Sequence, residues 1–363
     1  MIIAAWIIFI FTAIQFGVVL LNAIFRQPLP PCPNDFNPLV SILIPARNEE
    51  QNIGRLLTDI QQQEWQNFEV LVFNDQSTDK TAEIVELFSK TDQRFQLLNS
   101  DGLPDGWLGK NYGCYQLAQK AKGTYFLFLD ADVRISGTII AGTIAKVQQH
   151  QLGLLSIFPK QMMRSWGEYL TVPNMNFILL SLLPLVFVRL LPFSSMAAAN
   201  GQFMLFDAKT YRERQPHQTF RDNKVEDISI AQSFKKDKIR IACLAGNPSI
   251  SCRMYSSFSD AVNGFSKNVI MFFGNSGILA VLFWLITTLG FIPVLIALPK
   301  AVVLAYFLML LTIRVLISIV SYQNPLKTLL LAIPQQVVLG IFIIKAFLNK
   351  SKKAYQWKGR TIS

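Results

Sequence analysis

Histidine, cysteine and charge are all scarce in this chain of 363 residues. The two histidines, His150 and His217, lie in no catalytic context, which argues against a mechanism resting on imidazole. The four cysteines (Cys32, Cys114, Cys243 and Cys252) are scattered without a C-x-x-C pair, so neither a zinc site nor a disulfide framework has the right spacing; they read as reduced thiols. Charged residues make up 16% of the chain, and residues 1–25 contain none. That run is long enough to cross a bilayer core of about 30 Å. No basic residue precedes it and no small-x-small cleavage site follows it, so it reads as an anchor and not as a removable signal peptide.

What the chain has in abundance is apolar residues, 51% with 28 Phe, gathered into blocks. Three late blocks cover residues 277–298, 301–322 and 326–348. Between them and the anchor the composition is that of a soluble domain. The expected organisation is an anchor (1–25), a stiff proline-rich linker (26–38), a catalytic domain (39–270), membrane or re-entrant segments (277–348) and a basic tail (349–363). An apolar stretch at 177–193, broken by Pro184 and Arg189, is either an interfacial or re-entrant element or a buried core helix.

The net charge of +11 is concentrated at membrane borders. Lys345, Lys350, Lys352, Lys353, Lys358 and Arg360 crowd the tail with no acid among them. Such bases mark the cytoplasmic side and sit against anionic lipid, which argues against a nucleic-acid partner. Three late spans would leave this tail outside a cytosolic catalytic domain. The last block, which holds Pro334-Gln335-Gln336, therefore lies in the interface or re-enters.

The central stretch alternates strands and helices. Strands are expected at 39–44, 68–73, 95–98 and 124–129, with Asn48 capping a helix whose face carries Ile53, Leu56, Leu57 and Ile60. This rhythm predicts an α/β fold with a mainly parallel sheet and helices on both faces, whose ligands bind beyond the carboxyl ends of the strands.

The polar clusters fall at those ends. Asp130-Ala131-Asp132 follows a buried apolar strand and supplies the one or two carboxylates that Mg²⁺ or Mn²⁺ needs when a diphosphate completes its shell. At the second strand end, Asp75 can accept from a uracil imide, while Ser77 and Asp79 suit a turn and a helix cap. At the first, Pro45, Ala46, Arg47 and Glu49 are placed to meet a nucleoside or diphosphate. Gly106-Trp107-Leu108-Gly109-Lys110-Asn111 permits close backbone approach and offers a lysine to phosphate. Glu226-Asp227 at a helix start is a candidate general base, or simply an acid favoured by the helix dipole.

Taken together, PARNEE, NDQSTD, GWLGK, DAD, Glu226-Asp227 and Arg253-Met254-Tyr255 resemble the membrane-bound family-2 glycosyltransferases of GT-A fold. The pattern is similar to that of the diaponeurosporenoate glucosyltransferases of C30 carotenoid biosynthesis and of the hopanoid-associated glycosyltransferases. The resemblance implies an inverting, metal-dependent transfer of a hexose, glucose first, from a UDP-sugar to a lipid-soluble acceptor at the plasma membrane. It implies that Asp75 contacts uracil, that Asp132 with Asp130 ligates the metal, and that Asp227 or Glu226 sits by the acceptor. Trp107, Asn200, Gly201, Gln202 and Arg253 would line the acceptor side, and Lys267 would reach the diphosphate. Two features depart from the wider family. The Asp-Asp pair common at the second strand end is Asn74-Asp75, and the Q-x-x-R-W motif of processive synthases is absent, which favours single transfer. A nucleotidyltransferase would show glycine soon after the first strand, but here none occurs until Gly54. A non-enzymatic scaffold or transporter subunit would have no use for the acids at the strand ends.

Overall fold

Val40–Ala46 (β1) and Phe68–Asn74 (β2) are almost wholly buried, as strands covered on both faces must be. They pair in parallel, Val40 opposite Phe68 and Ala46 opposite Asn74. In this computed structural model the described residues are 1–33, 36–352, 355–357 and 360–362. Lys353 and Lys358 of the basic tail, and residues 34 and 35 of the proline-rich segment, lie outside them. The chain forms two compact units, one of residues Gln27–Lys160 and Leu185–Cys252, the other of Met1–Arg26, Gln161–Pro184 and Arg253–Ser363.

The first unit is the α/β fold. Its further strands are β3 (Phe95–Asn99), β4 (Tyr125–Leu129), β5 (Val133–Ile135), β6 (Leu154–Phe158), β8 (Phe203–Asp207), β9 (Ile241–Ala245) and β10 (Ile250–Cys252), with the two-residue β7 (Lys160–Gln161) at its boundary. Seven form the main sheet in the order β3-β2-β1-β4-β8-β6-β9. The first four strands run parallel, β8 opposes both β4 and β6, and β9 is parallel to β6. The reversal at β8 is the feature that periodicity does not reveal, because its run FMLFD reads like any buried strand. It matters for function: β8 begins at the edge where β4 ends, with Leu129 opposite Phe203. Residues just before β8 are thereby brought beside Asp130, whose N–H donates to Gln202 O at 3.2 Å. The segment after Arg26 is packed against this unit, Gln27 Nε2 donating to Cys243 O and Lys146 Nζ to Pro28 O.

The second unit is helical. Among the described residues three helices are long and apolar enough to cross a membrane: Ile2–Ile24, Lys300–Val320 and Ala332–Asn349. Phe258–Phe273 and Gly277–Leu289 form a further apolar pair bent by 100°. The apolar block expected at 277–298 is thus two helices, Gly277–Leu289 and Phe291–Ala297, meeting at Gly290. Ala5 clusters with Val294, Leu298 and Tyr306, while farther along both helices Arg314 lies over Phe177 and Gln15 bonds Ser181 of the same helix Pro173–Leu182, so Lys300–Val320 runs parallel to the first helix. Gly290 against Ile8 and Phe283 against Phe11 set Gly277–Ala297 antiparallel to it. The last helix runs antiparallel to Gly277–Leu289, with Gly340 against Trp284 and Phe347 back at the level of Gly277. Polar side chains of the first helix are buried within this unit: Gln15 donates to Ser181 Oγ, and Asn22 to the carbonyls of Leu180 and Leu183. The stretch expected at 177–193 is helical at Pro173–Leu182 and Leu185–Leu190, the first in the helical unit and the second in the α/β unit.

Candidate active site

The loops after β1 and β2 are tied to one another. Arg47 Nη1 donates to Asp75 O at 2.6 Å and stands 3.9 Å from Asp75 Oδ2, while Asp75 N–H donates to Ala46 O. Asp75 is buried, 3% exposed, so its carboxylate is surrounded by protein groups, Arg47 among them, and not by solvent. Asn48 does not cap the following helix as its sequence position suggested. It takes a left-handed φ of 53°, and its Oδ1 accepts from Thr78 N–H; Asn52 holds the position before the helix Ile53–Gln61. Asp79 accepts from Thr81 N–H and Glu50 N–H. Glu49 is also drawn into this framework, its N–H donating to Thr81 Oγ1 and its Oε2 accepting from Asn52. Pro45, the penultimate residue of β1, packs close to Gly113 of the helix Gly109–Lys120. A side chain at Gly113 would lie 2.9 Å from Phe73, so its absence lets the helix carrying Lys110 sit hard against the strand ends.

At the β4–β8 junction four chemically matched groups converge. Lys110 Nζ lies 2.8 Å and 3.0 Å from the two oxygens of Asp130, 3.5 Å from Glu226 Oε1 and 3.4 Å from Gly201 O. Burial alone would lower the Lys110 pKa, but the Asp130 and Glu226 carboxylates outweigh it and hold the ammonium charged well above its ordinary value. Lys110 is therefore the counter-charge of an acid cluster in this state, a different setting from the free phosphate-binding cation that its glycine-rich loop suggests.

Glu226 and Asp227 open the helix Glu226–Lys236. Asp227 is clamped, its Oδ2 accepting from Gly201 N–H at 2.9 Å and its Oδ1 from Ile228 N–H at 2.8 Å. Burial raises both carboxyls above the usual range, opposed by Lys110, and Glu226 is pushed up to about 7. Gly201 sits inside the knot. A Cβ there would lie 2.9 Å from Lys110 Nζ and 3.3 Å from Glu226 Oε1. Asn200 and Gln202 on either side are also fixed: Ser156 Oγ bridges the Asn200 backbone, Asn200 Oδ1 accepts from Gln202 N–H, and Gln202 Nε2 contacts Cys252 Sγ at 2.9 Å.

Asp132 hydrogen-bonds the Cys252 thiol, whose pKa burial and this neighbouring acid raise. Asp130 and Asp132 form no cluster of three or more metal-binding side chains among the described residues. The donor set therefore does not suit an all-protein cage. It does fit a hard cation such as Mg²⁺ or Mn²⁺ that takes one or two carboxylates and draws its remaining oxygens from a diphosphate and water.

Trp107 packs against Tyr112 and Tyr115, and its loop is pinned by Leu108 N–H to Arg221 O. Asn111, buried, reinforces this with its Nδ2 directed at the carbonyls of Phe220, Arg221 and Asn223. Asn111, Ser156 and Cys252 all hold site segments in place, yet they were not singled out from sequence. Only Asn111 carried a signal, by following Lys110 in the glycine-rich motif. Arg253 and Lys267 belong to the helical unit. There Arg253 Nε pairs with Glu168 Oε1 at 2.7 Å, and Lys267 lies in the last turn of the helix Phe258–Asn268. His217 is buried against Phe128 with Tyr211 OH at its Nδ1; burial depresses it to about 3, so it is a neutral core residue.

Residues 41–223 match the model of glycosyl transferase family 2, half of the chain, spanning β1 to the loop before Glu226. The chain belongs to that family. Among curated relatives of this family-2 chain, 4,4'-diaponeurosporenoate glycosyltransferase of Staphylococcus haemolyticus is 26% identical over 239 residues. Its Staphylococcus aureus counterpart is 29% identical over 243 residues. Each match covers 63% of this chain and spans about 60% of the relative's length. A mannosyltransferase from Pyrobaculum calidifontis, solved in complex with GDP-Man and Mn²⁺, shares the fold, with a TM-score of 0.55 at 18% identity over 96% of this chain and 99% of that one. The family-2 assignment and that likeness agree with the GT-A architecture seen here.

Proposed function

We propose that this protein transfers a hexose, glucose first, from a UDP-sugar to a membrane-dissolved acceptor, with inversion at the anomeric carbon and no covalent intermediate. The observation that carries the reading is the convergence of Asp130, Glu226, Asp227 and Lys110 at one strand edge. Membership of family 2, and the names of the staphylococcal relatives, support sugar transfer to an apocarotenoid acid or a comparable lipid. In this reading Asp75, steered by Arg47, accepts from the uracil imide, with Pro45, Ala46 and Glu49 shaping the nucleoside side. Asp130 and Asp132 would hold a divalent cation, which when bound offsets the charge of the departing diphosphate.

The reading gives each carboxylate a separate task. Asp227, clamped by two backbone N–H groups and made more basic by burial, accepts the proton of a hydroxyl acceptor. Glu226 faces Lys110 and tunes its position. Lys110 exchanges Asp130 for a phosphate oxygen when the donor and cation arrive, so the acid cluster stores the cation in place. Trp107 and the loop Asn200-Gly201-Gln202 border the acceptor. An acceptor that is itself a carboxylic acid is already ionised at neutral pH and needs no base.

The same reading sets the protein in the plasma membrane with the α/β unit cytoplasmic. A parallel pair, Ile2–Ile24 and Lys300–Val320, requires a return crossing between them, and Gly277–Ala297 runs in the right direction to be one. The last helix returns Phe347 to the level from which Gly277 started, which in this reading is the cytoplasmic side. Product analysis tests the chemistry. A β-configured glucoside from α-configured UDP-glucose is expected, and an α-glucoside would refute direct displacement.

A further inference from the structure

The net charge is divided unevenly between the two units. The helical unit contains only two acids, Glu168 and Asp260, against thirteen of the 34 basic residues, so it carries the whole +11 while the α/β unit is neutral. Both acids are engaged: Glu168 binds Arg253 and its own helix cap, and Asp260 bonds Ser257 at an exposed helix start. Among the described residues Arg314 forms no ion pair with a carboxylate.

Arg314 nevertheless lies inside the bundle. It is 8% exposed, its guanidinium lies 3.9 Å over the Phe177 ring, and among the described residues its one side-chain hydrogen bond runs from Nη1 to Gln335 Oε1 at 3.3 Å. Five donors in a planar fork are thus served by one long bond to a neutral amide and one ring face. Gln335 is held in turn, its Nε2 donating to Tyr169 O. One turn before Phe177, Asn174 is fully buried and its Oδ1 has no hydrogen-bond partner among the described residues. A cation in apolar surroundings is costly unless an anion accompanies it. The guanidinium fork matches a carboxylate in particular.

We infer that Arg314, seated on Phe177 and backed by Gln335, binds the carboxylate of a long-chain apolar acid dissolved in the membrane. Six residues separate Arg314 from Val320, so it lies about 9 Å inside the end of its helix. That end lies on the same side of the helical unit as the carboxyl end of Ile2–Ile24, with which this helix runs parallel. A carboxylic acid reaches this depth because it enters hydrocarbon as the neutral acid and ionises against the guanidinium. A phosphodiester headgroup, charged at every relevant pH, stays at the interface. The inference deepens the proposed function by assigning a residue that selects acids among membrane-dissolved ligands, and it rests on the acceptor being lipid-soluble.

The test is binding by the full chain in nanodiscs of neutral phosphatidylcholine, with a fluorescent polyene fatty acid as probe and its methyl ester as control. The expected result is acid binding at least about tenfold tighter than ester, abolished in Arg314→Gln and weakened but still present in Arg314→Lys, which keeps the charge and loses the fork. Equal binding of acid and ester, or an undiminished preference in Arg314→Gln, overturns the inference. So does selective displacement of the probe by phosphatidylglycerol with no displacement by unlabelled fatty acid, which would assign the site to lipid phosphate. UDP binding by Arg314→Gln, measured in parallel, shows that the variant is folded; if that variant is lost, Phe177→Leu, which removes the ring beneath the guanidinium, must weaken the acid preference instead. Transfer to a lipid alcohol without acid binding would sink this inference and leave the proposed function standing. Acid binding without any transfer would do the reverse.

Discussion

Replacing Gly201 with alanine isolates the geometry of the site from its folding. Gly201 does not occupy a left-handed conformation, so alanine is compatible with its backbone. The added methyl would stand 2.9 Å from Lys110 Nζ and 3.3 Å from Glu226 Oε1, against an ordinary carbon–nitrogen contact of about 3.5 Å. The lysine terminus is the movable partner and must retreat by about half an ångström, loosening its 2.8 Å contact with Asp130. Because a flexible side-chain end absorbs the clash, the stability cost is about 1 kcal/mol or less, in the range of a weakened partly exposed ion pair. Positioning is affected more: a misplacement near 1 Å costs about a hundredfold in rate, so a drop in kcat of about tenfold is expected with KM for the donor changed less. The assay pairs sugar transfer with thermal unfolding of the same detergent-solubilised sample. Full activity in a normally folded Gly201→Ala would refute the idea that this glycine makes room for the catalytic knot. Loss of folding would show that the contacts are rigid and not yielding.

Four other outcomes follow from the same geometry. Glu226→Gln should raise the apparent melting temperature at pH 8 and barely change it at pH 4.5. A carboxyl whose pKa rises from 4.5 unfolded to about 7 folded loses stability as pH climbs through that window, by about 3 kcal/mol at most; a larger effect at acid pH would contradict the burial argument. Asp227→Asn should abolish transfer to alcohols and spare transfer to carboxylates, and equal loss with both would remove its role as a base. Asp75→Ala should weaken UDP binding about ten- to a hundredfold by calorimetry, the value of one charge-assisted hydrogen bond; unchanged affinity would displace Asp75 from the nucleoside pocket. In a Cys32→Ser background, whose other native cysteines are buried, an impermeant maleimide should label a cysteine at Lys300 from outside whole cells and one at Tyr322 only after lysis. The opposite pattern would invert the proposed orientation.

Much of this was legible in the sequence because the signals are local. Buried parallel strands announce themselves as short apolar runs, and the expected strands at 39–44, 68–73, 95–98 and 124–129 differ from the observed ones by one or two residues at their ends. The reversal of β8 was not legible, since strand direction depends on partners far along the chain. It is that reversal which sets Gly201 beside Asp130. Asn48 looked like a helix cap by composition, but the loop from β2 offers Thr78 N–H and a tertiary bond overrides the local preference. Lys110 was read as a phosphate ligand from its loop, while only the fold reveals Asp130 and Glu226 as its partners. In the helical unit, apolar length was plain from composition. The break at Gly290 and the direction of each helix come from packing, at Ala5, Ile8 and Phe11, that no periodicity records.

The most direct test of the central claim is transfer of label from radioactive UDP-glucose into organic-extractable product by membranes containing the full chain, extracted lipid and Mn²⁺, with Asp132→Ala alongside. The account predicts a labelled lipid-soluble glucoside that the Asp132→Ala membranes fail to make. Product formation at the same rate by the variant would contradict the role given to the Asp130-Ala131-Asp132 edge. Absence of transfer from UDP-glucose, UDP-N-acetylglucosamine and GDP-mannose alike, by folded protein, would contradict the account as a whole.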